Sequence, residues 1–303
     1  MNIAIVGSEG FIGKALVNKL LIKGSANVFR FGNNLLPNVD NYQKLNYSDN
    51  LLLEKQFKNI DTVVYLASSS IPSTSWHDPL GEIHKNLEPF VSFLELISTK
   101  TNVKKIILAS SAGTIYGNSV EKLHEESLKN PVSPHGIIKL TSEYYLQYYA
   151  SKYNFDFTIL RISNVFGPGQ NTNKGLGVIN TFIENIVSNK PIKVYGNGEA
   201  VRNYLFISDL TQVLDYFIFK KELDKQIYNV ASNDHFSIKE IINSLYTLNL
   251  NFDVDYFEDR KSDVNKILID NNKLKNEILN IYFTPFEDAI QKTFNYIINN
   301  ENK

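Results

Sequence analysis

No cysteine occurs among the 303 residues, so the chain can form no disulfide and no thiolate zinc site, and it has no thiol nucleophile. Histidine is scarce as well. The five present (His77, His84, His124, His135 and His235) show no HExxH or comparable ligand spacing, and no metal centre is expected. Neither sign of charge is in excess: 31 Lys and Arg against 32 Asp and Glu leave a formal net charge of −1, which gives no overall attraction to nucleic acid or anionic membrane. Any apolar run of membrane-spanning length is also missing. The opening "MNIAIVG" lacks the basic segment of a secretory leader, and its apolar run stops at Gly7. These absences predict a soluble cytoplasmic protein that partners neither nucleic acid nor membrane. What is present, 43% apolar residues, suffices to bury the core of one large or two ordinary domains.

The chain opens with a strand-like "NIAIV", turns through "GSEGFIG", and continues as "KALVNKLLIKG", where Ala15, Leu16, Leu20 and Leu21 recur at helical spacing. In such a strand, glycine turn and helix, Gly7 permits the tight turn, Gly10 lets the backbone approach a pyrophosphate, and Gly13 allows close helix packing. Phe11 and Ile12 complete the candidate phosphate-binding stretch. A second strand, "NVFRF" at 27–31, follows as a βαβ unit requires. The alternation goes on with strands at 61–67, 104–110 and 157–163 and helices around 86–99 and 134–152. Such alternation predicts an α/β fold of Rossmann type, a doubly wound parallel sheet with ligands gathered at the carboxyl ends of its strands. Beyond Gly167 the pattern loosens. Residues 1–163 are expected to form the dinucleotide domain and 164–303 mainly a smaller substrate domain, with 227–232 returning as a strand.

Several ordered motifs resemble the extended short-chain dehydrogenase/reductases of the NAD-dependent epimerase/dehydratase type. They are "GSEGFIG" at 7–13, "LASSS" at 66–70, Asn86, "SSAGTIYG" at 110–117, "SPHGIIK" at 133–139, "LRISNVFGPGQ" at 160–170, "RNYLFISD" at 202–209 and "DRKSD" at 259–263. The resemblance spans nearly the whole chain. It implies a dinucleotide on the glycine turn, with Leu66, Ala67, Ser68 and Asn86 as further cofactor contacts, and a nucleotide-diphospho-sugar in the second domain. Hydride would pass between a sugar carbon and the nicotinamide.

Two departures from the family pattern touch the chemistry. Lys139 matches the family's lysine, which bonds the nicotinamide ribose and tunes the acid, but His135 stands where the family has tyrosine. Ser133 can cap the helix and Pro134 suits its first turn, so His135 and Lys139 should share one face. An imidazole titrates near 6.5 where a phenol titrates near 10, and both the helix N-terminus and Lys139 should favour its neutral form. Proton donation in the reductive direction then needs transient protonation or a relay. The second departure is Ala112, at the position of the family's catalytic hydroxyl; Thr114 and Ser111 are the candidates to replace it. Both departures keep a catalytically disabled sugar-nucleotide-binding protein as an alternative.

Cofactor choice is read at the end of the second strand, where an acid would bond the ribose 2′-hydroxyl of NAD. Gly32 occupies that position, with Arg30 and Asn33 nearby, so NADP(H) is favoured and NAD(H) remains possible. Asn164, Arg202 and Arg260 match family positions that hold the diphosphate, and Tyr195 one that lies beside the base. Asn203, in "RNY", replaces the more usual aspartate. Tyr144, Tyr145, Tyr148 and Tyr149 pair at i,i+4 and are read as core packing. By resemblance their helix joins a homodimer interface. The leading expectation is an NADP(H)-dependent reductase of a 4-keto nucleotide sugar made for surface polysaccharide, with a UDP-hexose type C4 epimerase as runner-up.

Overall fold

The computed structural model describes residues 1–34, 36, 39–70, 75–119, 121–172, 177–221, 225–248, 250–258 and 266–301. The first part of the chain runs β1 (Asn2–Val6), α1 (Phe11–Lys23), β2 (Asn27–Gly32), β3 (Tyr42–Lys44), α2 (Asn50–Phe57) and β4 (Thr62–Tyr65). Helix α3 (Pro79–Glu82) then passes through a π-helical turn (Ile83–Leu87) into α4 (Glu88–Lys100), followed by β5 (Lys105–Ser111), α5 (Ala112–Ile115) and β6 (Lys122–Leu123). Next come α6 (Pro134–Tyr153), β7 (Asp156–Ile162), β8 (Asn164–Phe166), α7 (Val178–Val187), β9 (Ile192–Tyr195), β10 (Val201–Phe206) and α8 (Ile207–Phe219). The chain closes with β11 (Gln226–Val230), β12 (His235–Ser237), α9 (Ile238–Tyr246), β13 (Val254–Phe257), β14 (Leu268–Ile269), α10 (Asn272–Glu277) and α11 (Phe286–Glu301).

Seven strands form the central sheet in the order β11-β7-β5-β4-β1-β2-β3, and the pairs from β5 to β3 are parallel. The order reverses between β1 and β4, which puts the ligand crevice of this Rossmann-type fold at their carboxyl ends. Strands β1, β4 and β5 are apolar and almost entirely buried because helices cover both faces. On one face Phe31 stacks on Phe57 at 4.6 Å, and Phe57 meets Phe93 edge-on at 5.1 Å. None of the described helices is long and apolar enough to cross a membrane.

The chain divides into two compact units. The first holds Met1–Ile115, Lys129–Arg161 and Thr211–Tyr228; the second holds Tyr116–Leu128, Ile162–Leu210 and Asn229–Lys303. The division is discontinuous where the sequence suggested one boundary at 163. Lys105 shows why residues 211–228 belong with the first unit: its buried ammonium donates to the carbonyls of Phe217, Ile218 and Lys220, capping the end of α8. In the second unit β12-β10-β8 form a three-stranded sheet and β13-β9 a parallel pair.

Candidate active site

The glycine turn is built for an anion. Gly7 sits at φ +89°, and a Cβ there would meet the Ala67 backbone at 2.8 Å, so the turn lies directly against the segment that follows β4. Gly13 has no room at all, since a side chain would run into the Gly7 carbonyl and the Ser8 backbone. Gly10 is different: its missing Cβ would approach only the Gly7 oxygen, at 3.3 Å, and its open side is free for a ligand. No side chain caps α1 and its first turn carries no acid, so the amides of Phe11, Ile12 and Gly13 have no partner among the described residues. A helix N-terminus leaves such donors for phosphate, and this cradle fits the pyrophosphate of a dinucleotide.

At the end of β2 the structure adds a residue that the sequence reading did not consider. Gly32 puts no carboxylate at the end of β2, yet the turn supplies one: a Cβ on Gly32 would lie 2.5 Å from Glu9 Oε2 and equally close to the Tyr42 hydroxyl. Asn34 Nδ2 donates to Glu9 Oε2 at 3.2 Å, and Tyr42 donates to the Asn34 carbonyl at 2.9 Å. Burial and the neighbouring Glu9 push the Tyr42 phenol well above its ordinary value. Arg30 shares the Gly32 face of β2 but lies two residues back, about 7 Å along the strand. Its Nε is buried with no partner among the described residues. Asn33 is exposed at the strand end. The end of β2 thus carries a carboxylate after all, contributed by Glu9 of the glycine turn and lying against Gly32.

The candidate proton-handling residues come from three segments of the first unit. Ser133 caps α6 as expected, its Oγ accepting from the Gly136 N–H at 3.1 Å, and Pro134 begins the helix. His135 and Lys139 line one cavity of ≈ 20 Å³, about the space of one water, together with Tyr65, Ala67, Ser68 and Glu82. Burial first, and the Lys139 cation second, bring the His135 imidazole down to about 3, so it is neutral near pH 7. Burial also lowers Lys139 to about 8, against the opposing pull of Glu82 and Glu143. Its ammonium donates to the Ala109 carbonyl at 3.1 Å. Glu143 is itself held by a fully buried Arg161, Nη2 to Oε2 at 2.7 Å, and accepts from Ser110. Thr114 packs by its carbonyl against Gly136, beside His135, and its buried hydroxyl has no partner among the described residues. Ser111 is the last residue of β5, and Ala112 is fully buried.

Sequence reasoning missed the polar residues behind His135. The Ser70 hydroxyl donates to Glu82 Oε2 at 2.7 Å and lies 3.3 Å from His135 Nδ1. Glu82 is 4% exposed. Asn86, placed in the π-helical turn, accepts from the Ser69 N–H at 2.8 Å and donates to both Ser70 Oγ and Glu82 Oε2 at 3.2 Å. It therefore shapes the loop after β4. The available signal was spacing, since Glu82 precedes Asn86 by one helical turn.

In the second unit Asn164 and Arg202 lie on the adjacent strands β8 and β10, in the register Tyr204↔Asn164. Asn164 Nδ2 donates to the Asn203 carbonyl at 2.9 Å, and Arg202 Nη1 to the Val201 carbonyl at 2.9 Å. Asn203 is buried: its amide donates to the Ser232 and Asp234 carbonyls at 3.1 and 2.7 Å, and its Oδ1 accepts from the Ser232 N–H. An aspartate could not make those donations, so the "RNY" departure fixes the 232–234 turn, while strand alternation sends Arg202 to the other face. Tyr195 is half-exposed at the end of β9, its ring 5.6 Å from Phe257. Arg260 lies outside the described residues. The tyrosines of α6 also need correcting: only Tyr149 is core, whereas Tyr144, Tyr145 and Tyr148 are exposed.

The family model described as "NAD dependent epimerase/dehydratase family" matches residues 3–231. A dTDP-4-dehydro-6-deoxyglucose reductase of Escherichia coli is 30% identical over 283 residues, covering 88% of each chain. A UDP-glucose 4-epimerase of Thermotoga maritima, solved with UDP-glucose, superposes with a TM-score of 0.90 at 27% identity, over 99% of this chain and 100% of that one. The Thermus thermophilus UDP-glucose 4-epimerase, solved in complex with NAD, shares the fold at 24% identity and a TM-score of 0.89, over 98% of this chain and 99% of that one.

Proposed function

Because the chain belongs to the NAD dependent epimerase/dehydratase family, we propose that it is an oxidoreductase of the C4 position of a nucleotide-diphospho-sugar, working as a reductase of a 4-keto sugar. The observation that carries this reading is the His135 imidazole set beside Lys139 in the cavity next to the segment after β4. A bound dinucleotide supplies or removes hydride at the sugar carbon. The chain's own residues then manage the proton at the adjoining oxygen. His135 Nε2 makes no hydrogen bond to a described residue and is available to that oxygen. The Thr114 hydroxyl, without a partner among the described residues, shares the hydrogen bond, with Ser111 as its alternate, and burial together with the Lys139 cation holds the imidazole neutral. Such a connected polar cluster speaks against a disabled site.

Glu9 favours NAD(H), by accepting from a ribose 2′-hydroxyl and repelling a 2′-phosphate. Leu66, Ala67, Ser68 and Asn86 form the wall of the nicotinamide end. For the substrate, Arg202 and Arg260 are assigned to the diphosphate, Asn164 to its flank and Tyr195 to the base. The exposed Tyr144, Tyr145 and Tyr148 suit a homodimer interface on α6. A cytoplasmic role in making surface polysaccharide accords with this chemistry. The similarity to the Thermotoga enzyme supports C4 epimerisation as the second reading.

The test is a panel of UDP- and dTDP-sugars and their 4-keto forms with NADH and NADPH in parallel. Net oxidation of NADH identifies the reductase, and isomerisation without net oxidation the epimerase. Binding with no turnover on any member overturns both.

A further inference from the structure

Donor and acceptor accounting among the described residues around Ser70 leaves little freedom. The Ser69 backbone N–H can only donate, which fixes Asn86 Oδ1 towards it and Asn86 Nδ2 towards Ser70 and Glu82. With Glu82 ionised, the single Ser70 hydroxyl proton goes to Oε2 at 2.7 Å. Ser70 Oγ then accepts from Asn86 and from His135, so the imidazole carries its proton on Nδ1 and presents a bare Nε2. With Glu82 protonated the Glu82–Ser70–His135 bonds reverse while those from Asn86 stay: the carboxyl donates to Ser70, Ser70 donates to Nδ1, and Nε2 carries the proton. The two arrangements differ by one proton on Glu82.

From this geometry we infer that Glu82 is the proton reservoir of the site, joined to the substrate oxygen through Ser70 and a His135 ring that switches between its two neutral tautomers. This deepens the oxidoreductase reading and rests on it. In reduction, Glu82 first takes a proton from water, which sets the Nε2–H arrangement; the sugar carbon then gains hydride and its oxygen takes the Nε2 proton. Nδ1 takes the Ser70 proton and Ser70 takes the Glu82 proton, so Glu82 ends as the carboxylate. Oxidation runs the same transfers backwards. No imidazolium forms at any stage, which matters because a buried ring beside a lysine resists protonation. A histidine can thus do in both directions what a phenol would do alone. The groups facing Glu82 are His135 and Lys139 from α6, with Glu143 beyond the lysine, the Tyr65 phenol of β4, and Lys85 on its own helical segment. Glu82 touches no reacting atom itself; Ser70 and Glu82 act through His135.

The test has a ligand-free arm and a turnover arm. Long-range proton–nitrogen NMR of the ¹⁵N-histidine-labelled free protein at pH 7 should show His135 as the Nδ1–H tautomer. Ser70→Ala should release it to a mixture. On whichever panel substrate turns over, Glu82→Gln should lower turnover at least ~10-fold and flatten its pH dependence, with cofactor affinity unchanged. An Nε2–H wild type, an unmoved tautomer in Ser70→Ala, or wild-type turnover and pH profile in Glu82→Gln overturns the inference. Should no panel member react, the oxidoreductase reading fails while the tautomer arm still decides whether the Ser70–His135 connection exists.

Discussion

The proposed pyrophosphate cradle and the proposed proton-handling cluster belong to the same unit, but one is made of main chain and the other of side chains. At the glycine turn, Gly7, Gly10 and Gly13 contribute by what they lack, and the donors are backbone amides of α1. Around His135 the polar atoms are Oγ, Oε2 and ring nitrogens brought in from 70, 82 and 135, each hydrogen-bonded to the next. A main-chain site tolerates almost any side chain that points away and none that points in. A side-chain network keeps its shape under isosteric replacement and loses its chemistry. The two regions should therefore fail in different ways.

Substitution at the turn gives the largest expected effect. Gly10→Val places a side chain in open space intended for ligand, so cofactor binding by calorimetry should vanish while the melting transition is kept. Three residues on, Gly13→Val meets backbone on its protein side and should compromise folding itself. If both variants behave alike, the distinction between ligand space and packing space is wrong.

In the cluster, Arg161 and Glu143 are both buried, so Glu143→Leu leaves a guanidinium without its carboxylate and should cost about 3–5 kcal/mol by urea unfolding. A smaller effect should follow pH. The folded value near 3 for His135, against 6.5 unfolded, means that the native protein binds fewer protons between those limits. Its contribution is complete above about pH 6.5 and is lost as pH falls towards 3. His135→Phe should therefore lose less stability than wild type on going from pH 7 to about pH 4.5, by roughly 2 kcal/mol. Equal losses in the two proteins would place the imidazole in water.

The smallest effect belongs to the edge of the cradle, where a side chain does intrude. Glu9→Gln should raise NADPH affinity relative to NADH about tenfold, the order of one like-charge contact removed. An unchanged ratio by fluorescence titration would move the ribose away from Glu9.

The same contrast explains what was legible beforehand. Tight turns and close approaches demand glycine at fixed spacing, so "GSEGFIG" could be read directly, and the alternation of periodicities located β1, β2, β4, β5 and β7, though not the three-residue edge strand β3. Glu9 was in plain view within that motif, but its carboxylate reaches Gly32 only once β1 and β2 pair. Ser70 and Glu82 meet through the fold of the segment after β4 onto α3, which no local pattern encodes. Exposed tyrosines mimic core at helical spacing because a phenol is half apolar, which is why spacing alone misplaces Tyr144, Tyr145 and Tyr148. The N-cap at Ser133 and the shared face of His135 and Lys139 were legible because both follow from helix geometry alone.

The central claim is that His135 exchanges the proton with the sugar oxygen, and His135→Phe tests it most directly. With turnover and cofactor affinity measured side by side, the account predicts a loss of ~10²–10⁴-fold in turnover with cofactor affinity nearly intact. Wild-type turnover in a folded His135→Phe protein would contradict it and pass the proton to Thr114 or Ser111.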